Sequence, residues 1–471
     1  MLAFIIIFNF LQLELFVNCY HIQLPAESIH EKAADDIIHR LHTAGYQAFR
    51  VGGAVRDRLL GRSPEEVDVA TDAVPTKVKE LFPRSYAVGE SFGVIVVHTQ
   101  EGVDVEVATF REENEYADGR HPGEVHFSTP EKDAARRDFT VNALYYDPSN
   151  SQLLDFVNGR NDLQNRIIRA IGNPCTRFAE DHLRILRAVR FAAGLKFRLD
   201  PSTADACKEY AEQLSAISAE RVYGELTRML NSHTAAVAFC MLHRLNMLDQ
   251  WLPEVERMKG VPQPPQFHPE GDVWQHTLLM LGKMREPSEE LGWAVLLHDV
   301  GKPPTIEYAP DRIRFPKHAE RSAEIAGTVL RRLRASKKLI TTVQECVKNH
   351  MTFSDVQNMK KSTLRRLMGR PTFPIELELH RLDCEASHRK LDNYHYLRDK
   401  ETEFANEPVL PEPILRGHDI LALGIEPGPL VGELLEHAWQ WQLEGEIQDK
   451  EEALQKVQKY LEAKHGGKIS T

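Results

Sequence analysis

Val51-Gly52-Gly53-Ala54-Val55-Arg56-Asp57-Arg58-Leu59-Leu60-Gly61, followed after a short polar spacer by Glu66-Val67-Asp68-Val69-Ala70-Thr71, is the stretch on which the reading of the fold turns. The residues from Tyr46 to Val51 read as a short strand that ends in the glycine pair. Gly52 and Gly53 let the backbone approach phosphate oxygens closely, because no side chain stands in the way. In Glu66-Val67-Asp68 the i, i+2 spacing on a strand turns both carboxylates to one face. Two carboxylates on one face suit Mg²⁺.

With a third carboxylate from a neighbouring strand, such a pair can hold two Mg²⁺ ions that activate a terminal 3′-hydroxyl and neutralise a leaving pyrophosphate. Alternation in Gly93-Val94-Ile95-Val96-Val97-His98 and in Val103-Asp104-Val105-Glu106-Val107 predicts two strands joined by a turn at Gln100 to Gly102. Glu106 is the candidate third carboxylate, and Asp104 shares its face. Upstream, Ile29, Ala33, Ile37, Ile38 and Leu41 repeat on one side of a helix expected from Ala26 to Leu41. The chain therefore begins as a mixed α/β domain, and beyond Asp162 the pattern is predominantly helical. Proline-rich Val261 to Gly271 reads as a linker, as does Asn406 to Pro413.

A net charge of −11 excludes a uniformly basic coat, so any RNA contact must come from local patches. The residues from Arg160 to Asp200 form one, with nine Lys/Arg against four Asp/Glu. Six cysteines without a Cys-x-x-Cys pair fit neither a zinc ribbon nor a disulfide framework, and predict a reducing, cytoplasmic setting. Leu2 to Val17 is apolar, but Asn9, Gln12 and Glu14 interrupt it, and it lacks a basic leading region and a small-residue cleavage site. It reads as a buried or partner-facing helix, or as the product of a start placed too far upstream, with a membrane anchor or signal as the alternative; no stable membrane partner is expected. Nothing in the sequence specifies an oligomeric state.

The opening stretch resembles the head signature of the class II transfer-RNA nucleotidyltransferase and bacterial poly(A) polymerase family. One departure is that the family's first metal carboxylate is usually aspartate, where this chain has Glu66, one methylene longer. The resemblance implies Glu66, Asp68 and Glu106 as the catalytic, Mg²⁺-binding set, with Gly52, Gly53, Arg56 and Asp57 at the nucleotide. Further motifs follow in family order. Asp118-Gly119-Arg120-His121-Pro122 looks like the flexible loop used in adding the terminal adenosine. Arg136-Arg137-Asp138-Phe139-Thr140-Val141-Asn142 resembles the ribose-binding motif: Asp138 can accept from a ribose hydroxyl, Arg137 can pair it and face a phosphate, and Asn142 can donate to the triphosphate.

Glu180-Asp181-His182-Leu183-Arg184-Ile185-Leu186-Arg187 is another long match. Read as one helix, it places Asp181 and Arg184 on nearly the same face. An aspartate accepts from an exocyclic amino group and an arginine donates to a ring nitrogen or carbonyl, so the pair can read CTP and ATP while rejecting UTP and GTP. The resemblance gives Glu180, Asp181 and Arg184 this selecting and positioning role and assigns Arg187 to the nucleotide.

In the second half, His276, the pair His298-Asp299 before Val300-Gly301-Lys302-Pro303, then His318, His350 and Asp383 form an ordered series. It resembles the HD superfamily of metal-dependent phosphohydrolases. His276, His298, Asp299 and Asp383 are the expected ligands of Mg²⁺ or a divalent transition metal. His318 and His350 serve as further ligands or as phosphate donors.

The expected fold is α+β, with a nucleotidyltransferase palm built on a mixed sheet and then all-helical neck, body and HD domains. Boundaries are placed at 1–25 for the apolar segment, 26–162 for the head, 163–260 for neck and RNA-binding body, 261–400 for the HD domain and 401–471 for a helical tail. The expected activity is template-independent addition or repair of the CCA end of transfer RNA from CTP and ATP, releasing pyrophosphate. A poly(A) polymerase or an enzyme adding only the final A is the nearest alternative, and the glutamate-rich residues 401–471 oppose the former, whose members usually end in a basic extension. An HD phosphohydrolase with an RNA-binding front end is the alternative of another class.

Overall fold

The computed structural model describes residues 18–88, 93–113, 125–404 and 408–466. The apolar Leu2 to Val17 and the loop Asp118 to Pro122 lie outside the described residues. The chain divides into two compact units, Met1–Met229 with Val237–Trp251, and Leu230–Ala236 with Leu252–Thr471.

The first unit is organised by a sheet. Its strands are β1 (Asn18–His21), β2 (Ala48–Val51), β3 (Asp68–Thr71), β4 (Ser85–Ala87), β5 (Val94–His98) and β6 (Asp104–Thr109), then, after a separate hairpin of β7 (Arg111–Glu113) and β8 (Val125–Phe127), β9 (Leu144–Asp147) and β10 (Gln152–Asp155). The order across the eight-stranded sheet is β1-β10-β9-β2-β3-β6-β5-β4. Only β3 and β6 run parallel within it; the other pairs are antiparallel. The mixed sheet expected from the sequence is thus present, and the hairpin read from the two alternating runs is β5–β6.

The helix expected from Ala26 runs from Ile29 to Thr43. Ser28 starts it by accepting from the Glu31 N–H, while the Glu31 carboxylate accepts from the N–H groups of Ser28 and Glu27. That exchange fixes the start three residues later than apolar periodicity suggested. Ala33, Ala34, Ile37, Ile38 and Leu41 then pack on Val69, Ile95, Val97, Val105 and Val107, so one amphipathic stripe covers one face of the sheet. Strand β1 sits within the segment read as an apolar N-terminal stretch; its pairing to β10 places Asn18–His21 at the edge of the sheet.

Helices dominate after Asp162, with short pairings at Ile167–Ile168 with Arg198–Leu199 and at Glu307–Tyr308 with Ile313–Arg314. In the second unit, helix Glu289–Leu297 is buried on every side from Leu291 through Leu297. A helix apolar all round belongs at the centre of a bundle, and Val273–Lys283, His318–Arg332, Lys337–Asn349 and Phe373–Ala386 pack around it. Its C-terminal end delivers His298 and Asp299 into the interior. Farther along, Leu415, Ile420, Leu434, Ala438, Ile447, Ala453 and Val457 form a core of their own.

Val261 to Gly271 is not the free tether its prolines suggested. Gln263 is buried and accepts from Lys302 Nζ at 2.7 Å, and the Glu270 carboxylate lies 2.6 Å from His276 Nδ1. Proline stiffens this segment against the bundle rather than releasing it. No helix among the described residues is long and apolar enough to cross a membrane.

Candidate active site

Parallel register pairs Val69 of β3 with Val107 of β6, so Asp68 and Glu106, one residue before each, stand side by side. Val67, Val69, Val105 and Val107 are buried, and Glu66, Asp68, Asp104 and Glu106 are exposed on the opposite face. The strand alternation read from the sequence holds for Asp68 and Glu106, whereas β3 begins only at Asp68 and Glu66 lies in the loop before it. Although Asp68 is open to solvent, the walls around it crowd its carboxyl. That desolvation, then the negative charge of Glu106, pushes it up to about 6 against the pull of Arg137, and Glu66 adds a smaller push. Asp104 shares the face of Glu106, but its carboxylate is taken by His98 Nδ1 at 2.7 Å and by the Tyr86 hydroxyl at 3.4 Å.

A cleft of about 390 Å³ opens beside Asp68. Gly52, Gly53, Arg56, Arg137, Asp138, Asn142, Asp181, Arg184 and Arg187 line it, as do Arg136, Leu183, Phe191 and Arg221. Gly52 has φ +72°, a conformation that favours glycine, and a Cβ there would lie 3.2 Å from Arg137 Nη1 and press that guanidinium aside by a few tenths of an ångström. Arg137 is held from behind, its Nε donating to the Tyr145 hydroxyl at 3.0 Å and its Nη2 to Asp133 at 3.1 Å. Asp133 is buried, which alone would raise its carboxyl, yet Arg137, Arg136 and the Tyr145 hydroxyl hold it below the usual carboxylate range.

Asp138 Oδ2 accepts from Arg187 Nε at 2.8 Å and Nη2 at 2.6 Å, and Oδ1 accepts from Asn142 Nδ2 at 3.2 Å. Burial works against its ionised form, but Arg187 and Asn142 prevail and the carboxyl stays lowered. Arg56 donates to Asn142 Oδ1 at 2.6 Å. Asp57 does not line the cleft: it holds Arg56, at 2.9 Å to Nε and 2.8 Å to Nη2. Phe191 has the guanidinium groups of Arg56, Arg187 and Arg190 over its ring at 5.3, 5.2 and 4.2 Å, which gathers three cations on one apolar surface.

The single helix expected across Glu180 to Phe191 is broken. Helix Pro174–Glu180 ends with Asp181 in an extended conformation, φ −147° and ψ 103°, and a second helix runs Leu183–Leu195. Asp181 breaks it because its Oδ1 accepts from the Leu183 N–H at 3.0 Å, a short-range side-chain bond that competes with helix continuation. Asp181 and Arg184 still line the same cleft, now from either side of a corner. Arg184 is anchored by Glu180 Oε2 at 2.6 Å and by the carbonyls of Arg177 and Arg136, each at 3.1 Å. Glu180 thus lies behind the cleft wall.

The second unit gathers the histidine series. Ligand atoms of His276, His298 and Asp299 lie within 4.8 Å of one another, and so do those of Asp299, His318 and His350. Asp383 joins through Oδ1, 3.2 Å from His276 Nε2. The Nδ1 atoms of His298, His318 and His350 lie 2.9, 2.9 and 2.6 Å from the carbonyls of Val295, Phe315 and Val347. Donation of Nδ1–H to a carbonyl leaves Nε2 as a lone-pair donor. Burial, and then the neighbouring His298, push His350 down to about 3, so its imidazole is neutral. Asp299 Oδ2 lies 3.1 Å from His298 Nε2 and 2.7 Å from Lys302 Nζ, so imidazole nitrogens and carboxylate oxygens of the kind that bind a cation converge in a buried place that Lys302 shares.

Three family models match the chain: Poly A polymerase head domain over 48–169, Probable RNA and SrmB-binding site of polymerase A over 196–259, and HD domain over 272–385. A CCA-adding enzyme of Streptococcus suis is 31% identical over 441 residues, which cover 92% of this chain and 96% of that enzyme. This chain belongs to the CCA-adding enzyme family. As a member, it is a nucleotidyltransferase. A multifunctional CCA protein of Alkalilimnicola ehrlichii is 37% identical over 361 residues, covering 73% of this chain and 84% of that protein. The crystal structure of the Bacillus stearothermophilus CCA-adding enzyme in complex with CTP superposes with a TM-score of 0.75 at 26% identity, covering 94% of this chain and all of that one.

Sequence reasoning toward this CCA-adding fold missed Arg221 and Phe191 in the cleft, Asp133 behind it, and Glu270 and Lys302 around the histidines. Arg221 is 40 residues from its partner Asp181, and Glu270 was hidden by the prolines that made its segment read as a linker.

Proposed function

We propose that this chain completes or repairs the 3′-terminal CCA of transfer RNA with CTP and ATP, releasing pyrophosphate. The observation that carries this reading is the placing of Asp68 and Glu106 side by side at the edge of a cleft that also holds Arg137, Asp138, Asp181 and Arg184. Two carboxylates crowded together, one of them pushed up to about 6 by desolvation and by its neighbour, fit a divalent cation, and hard oxygen donors favour Mg²⁺. Bound there, Mg²⁺ ions would lower the pKa of the attacking 3′-hydroxyl and neutralise charge on the leaving pyrophosphate. Asp68 and Glu106 would hold them, with Glu66 contributing from the loop before β3.

The chain's own groups do the rest. Arg56, Arg137 and Arg187 present positive charge to the triphosphate, and Asp138, which lines the cleft, accepts from a ribose hydroxyl in exchange for one of the donors it now holds, Phe139 N–H, Asn142 or Arg187. Asp181 accepts from the exocyclic amino group of cytosine or adenine, and Arg184 donates to a ring nitrogen or carbonyl. UTP and GTP present a carbonyl, O4 or O6, where CTP and ATP present the amino group, and leave the acceptor of the wall unpaired, which is how a hydrogen-bonding site rejects an analogue. The test is incorporation from labelled CTP or ATP into transfer-RNA transcripts ending before CCA, after C and after CC, resolved at single-nucleotide length. Ordered C, C and A followed by a stop supports the reading, long A tails support a poly(A) polymerase, and A on the CC end alone supports a partial enzyme.

A second activity is favoured by the convergence of Nε2 atoms on Asp299. We infer that the second unit binds a divalent ion through His276, His298, Asp299 and Asp383, and hydrolyses a phosphate ester. Mixed imidazole and carboxylate donors suit Mn²⁺, Ni²⁺, Co²⁺, Fe²⁺ or Mg²⁺, which would supply a bound hydroxide. Metal analysis of the purified chain and of His298→Ala tests it, and equal metal content in both would refute it.

A further inference from the structure

The sheet presents more of its carboxylate-bearing face than the cleft uses. Strand register sets Asp68 of β3 beside Glu106 of β6, Glu106 opposite Val96 of β5, and Val96 opposite Tyr86 of β4. Opposed residues point to the same side of a sheet, so these four side chains form one row across the outward face. The row ends at the sheet edge, because β4 is the last strand in the order. Val96 is only 5% exposed, whereas Tyr86, and Val88 just beyond the strand, are each 51% exposed. The Tyr86 hydroxyl donates to Asp104 Oδ2 at 3.4 Å, and Asp104 is held in turn by His98 Nδ1 at 2.7 Å, which keeps the phenol on the carboxylate side. Tyr86 thus stands two strands, about 10 Å, from Glu106, and outside the residues that line the nucleotide cleft.

We infer that Tyr86 is a binding residue for the acceptor RNA, its ring stacking on the 3′-terminal base of the strand being extended. This rests on the reading of the cleft as the CTP and ATP site. The cleft opens from Asp68 toward Arg137 and toward Gly52 and Gly53, which follow β2, so a triphosphate seated there meets the carboxylates from the β2 side. In an in-line displacement the attacking oxygen and the leaving pyrophosphate stand on opposite sides of the α-phosphorus. The 3′-hydroxyl therefore reaches Asp68 and Glu106 from the other side, over β6, β5 and β4, where Tyr86 lies open. The face itself says which part of the strand it meets. Carboxylates beside the ring disfavour a phosphate, whereas the flat face of a base covers an exposed phenol. Stacking also tolerates any base, which suits an acceptor whose last base changes as the strand grows, and which a hydrogen-bonding pocket would not allow. The role is separate from that of Asp181 and Arg184, which meet the incoming base.

The experiment measures KM for a transfer-RNA transcript lacking CCA, and KM for CTP at saturating transcript, in the wild-type chain, Tyr86→Ala, Tyr86→Phe and Tyr86→Trp. Tyr86→Ala is expected to raise KM for the transcript by roughly 10–100-fold and to leave KM for CTP unchanged. Tyr86→Phe and Tyr86→Trp keep a ring face and stay close to wild type, although the former gives up the hydroxyl bond to Asp104. Thermal unfolding of each variant is followed in parallel, and if the alanine variant does not fold, Tyr86→Leu, apolar but without a ring, takes its place with the same expectation. An unchanged KM for the transcript in the ringless variant, or a rise shared equally by CTP, overturns the inference. So does a loss in Tyr86→Phe as large as in Tyr86→Ala, which gives the effect to the Asp104 bond. A wild-type chain that incorporates no CTP refutes the underlying reading of the cleft instead.

Discussion

Asp133 is where the stability of the head meets the shape of its cleft. It is 1% exposed, and its carboxylate accepts from Arg136 Nη2 at 2.6 Å, Arg137 Nη2 at 3.1 Å and the Tyr145 hydroxyl at 2.6 Å. Asp133→Ala would leave Arg137 and a buried phenol without their acceptor. Removing one member of a buried ion pair costs about 3–5 kcal/mol, a large share of the ~5–15 kcal/mol that holds a domain folded. Asp133→Asn keeps the shape and loses the charge, for about 1.5–3 kcal/mol. Because the chain has two compact units, a single unfolding midpoint would mix them. Hydrogen exchange in β2 and β9 isolates the head, and at about 1.4 kcal/mol per tenfold, protection should drop by roughly 10²–10³-fold in Asp133→Ala. The sign with pH follows from the lowered carboxyl of Asp133. Its contribution is complete above the unfolded value of ~3.9 and fades as the pH falls through the lower folded value. The gap between wild type and Asp133→Asn should therefore close under acid. A change in protection below about threefold near neutrality, equivalent to under ~1 kcal/mol, would refute the reasoning.

Gly52→Ala should weaken nucleotide binding and destabilise the head by about 1–2 kcal/mol, since its φ is +72° and the new Cβ would press on Arg137; calorimetric titration with CTP and urea unfolding read the two effects. Glu66→Gln should lower the rate of incorporation less than Asp68→Asn does, because Asp68 is the carboxylate crowded by Glu106 and facing the cleft; equal losses in single-turnover assays would give Glu66 the same weight. Gly301→Ala should cost the second unit its metal, as a Cβ there would fall 2.5 Å from the His318 carbonyl and 2.5 Å from the Ser322 N–H. Metal content equal to wild type would show that His318 can shift without harm.

Much of the head was legible because its chemistry is local. Strand alternation put Asp68 and Glu106 on the exposed face, and the Gly52-Gly53 pair marked where the backbone could approach a phosphate closely. What stayed hidden depends on pairing between distant segments. The candidate Glu106 stands beside Asp68 only through the register between β3 and β6, and the carboxylate of Asp104 is taken by His98, across from it on β5. Asp181 gave no sign that it would break the helix rather than ride on it, because an aspartate near a helix end reads alike in either case. In the second unit the histidines were legible from their order, whereas Glu270, tied to His276 from a proline-rich segment, was visible only once the chain had folded back on itself.

The central claim is that one cleft both transfers and selects. Its most direct test is single-turnover incorporation of each of the four nucleotides into a transfer-RNA transcript ending in CC by the wild-type chain, Asp68→Ala and Asp181→Ala. The wild type should add A alone, Asp68→Ala should add nothing, and Asp181→Ala should still add nucleotides but no longer prefer A. Unaltered preference in Asp181→Ala, or substantial incorporation by Asp68→Ala, would contradict it.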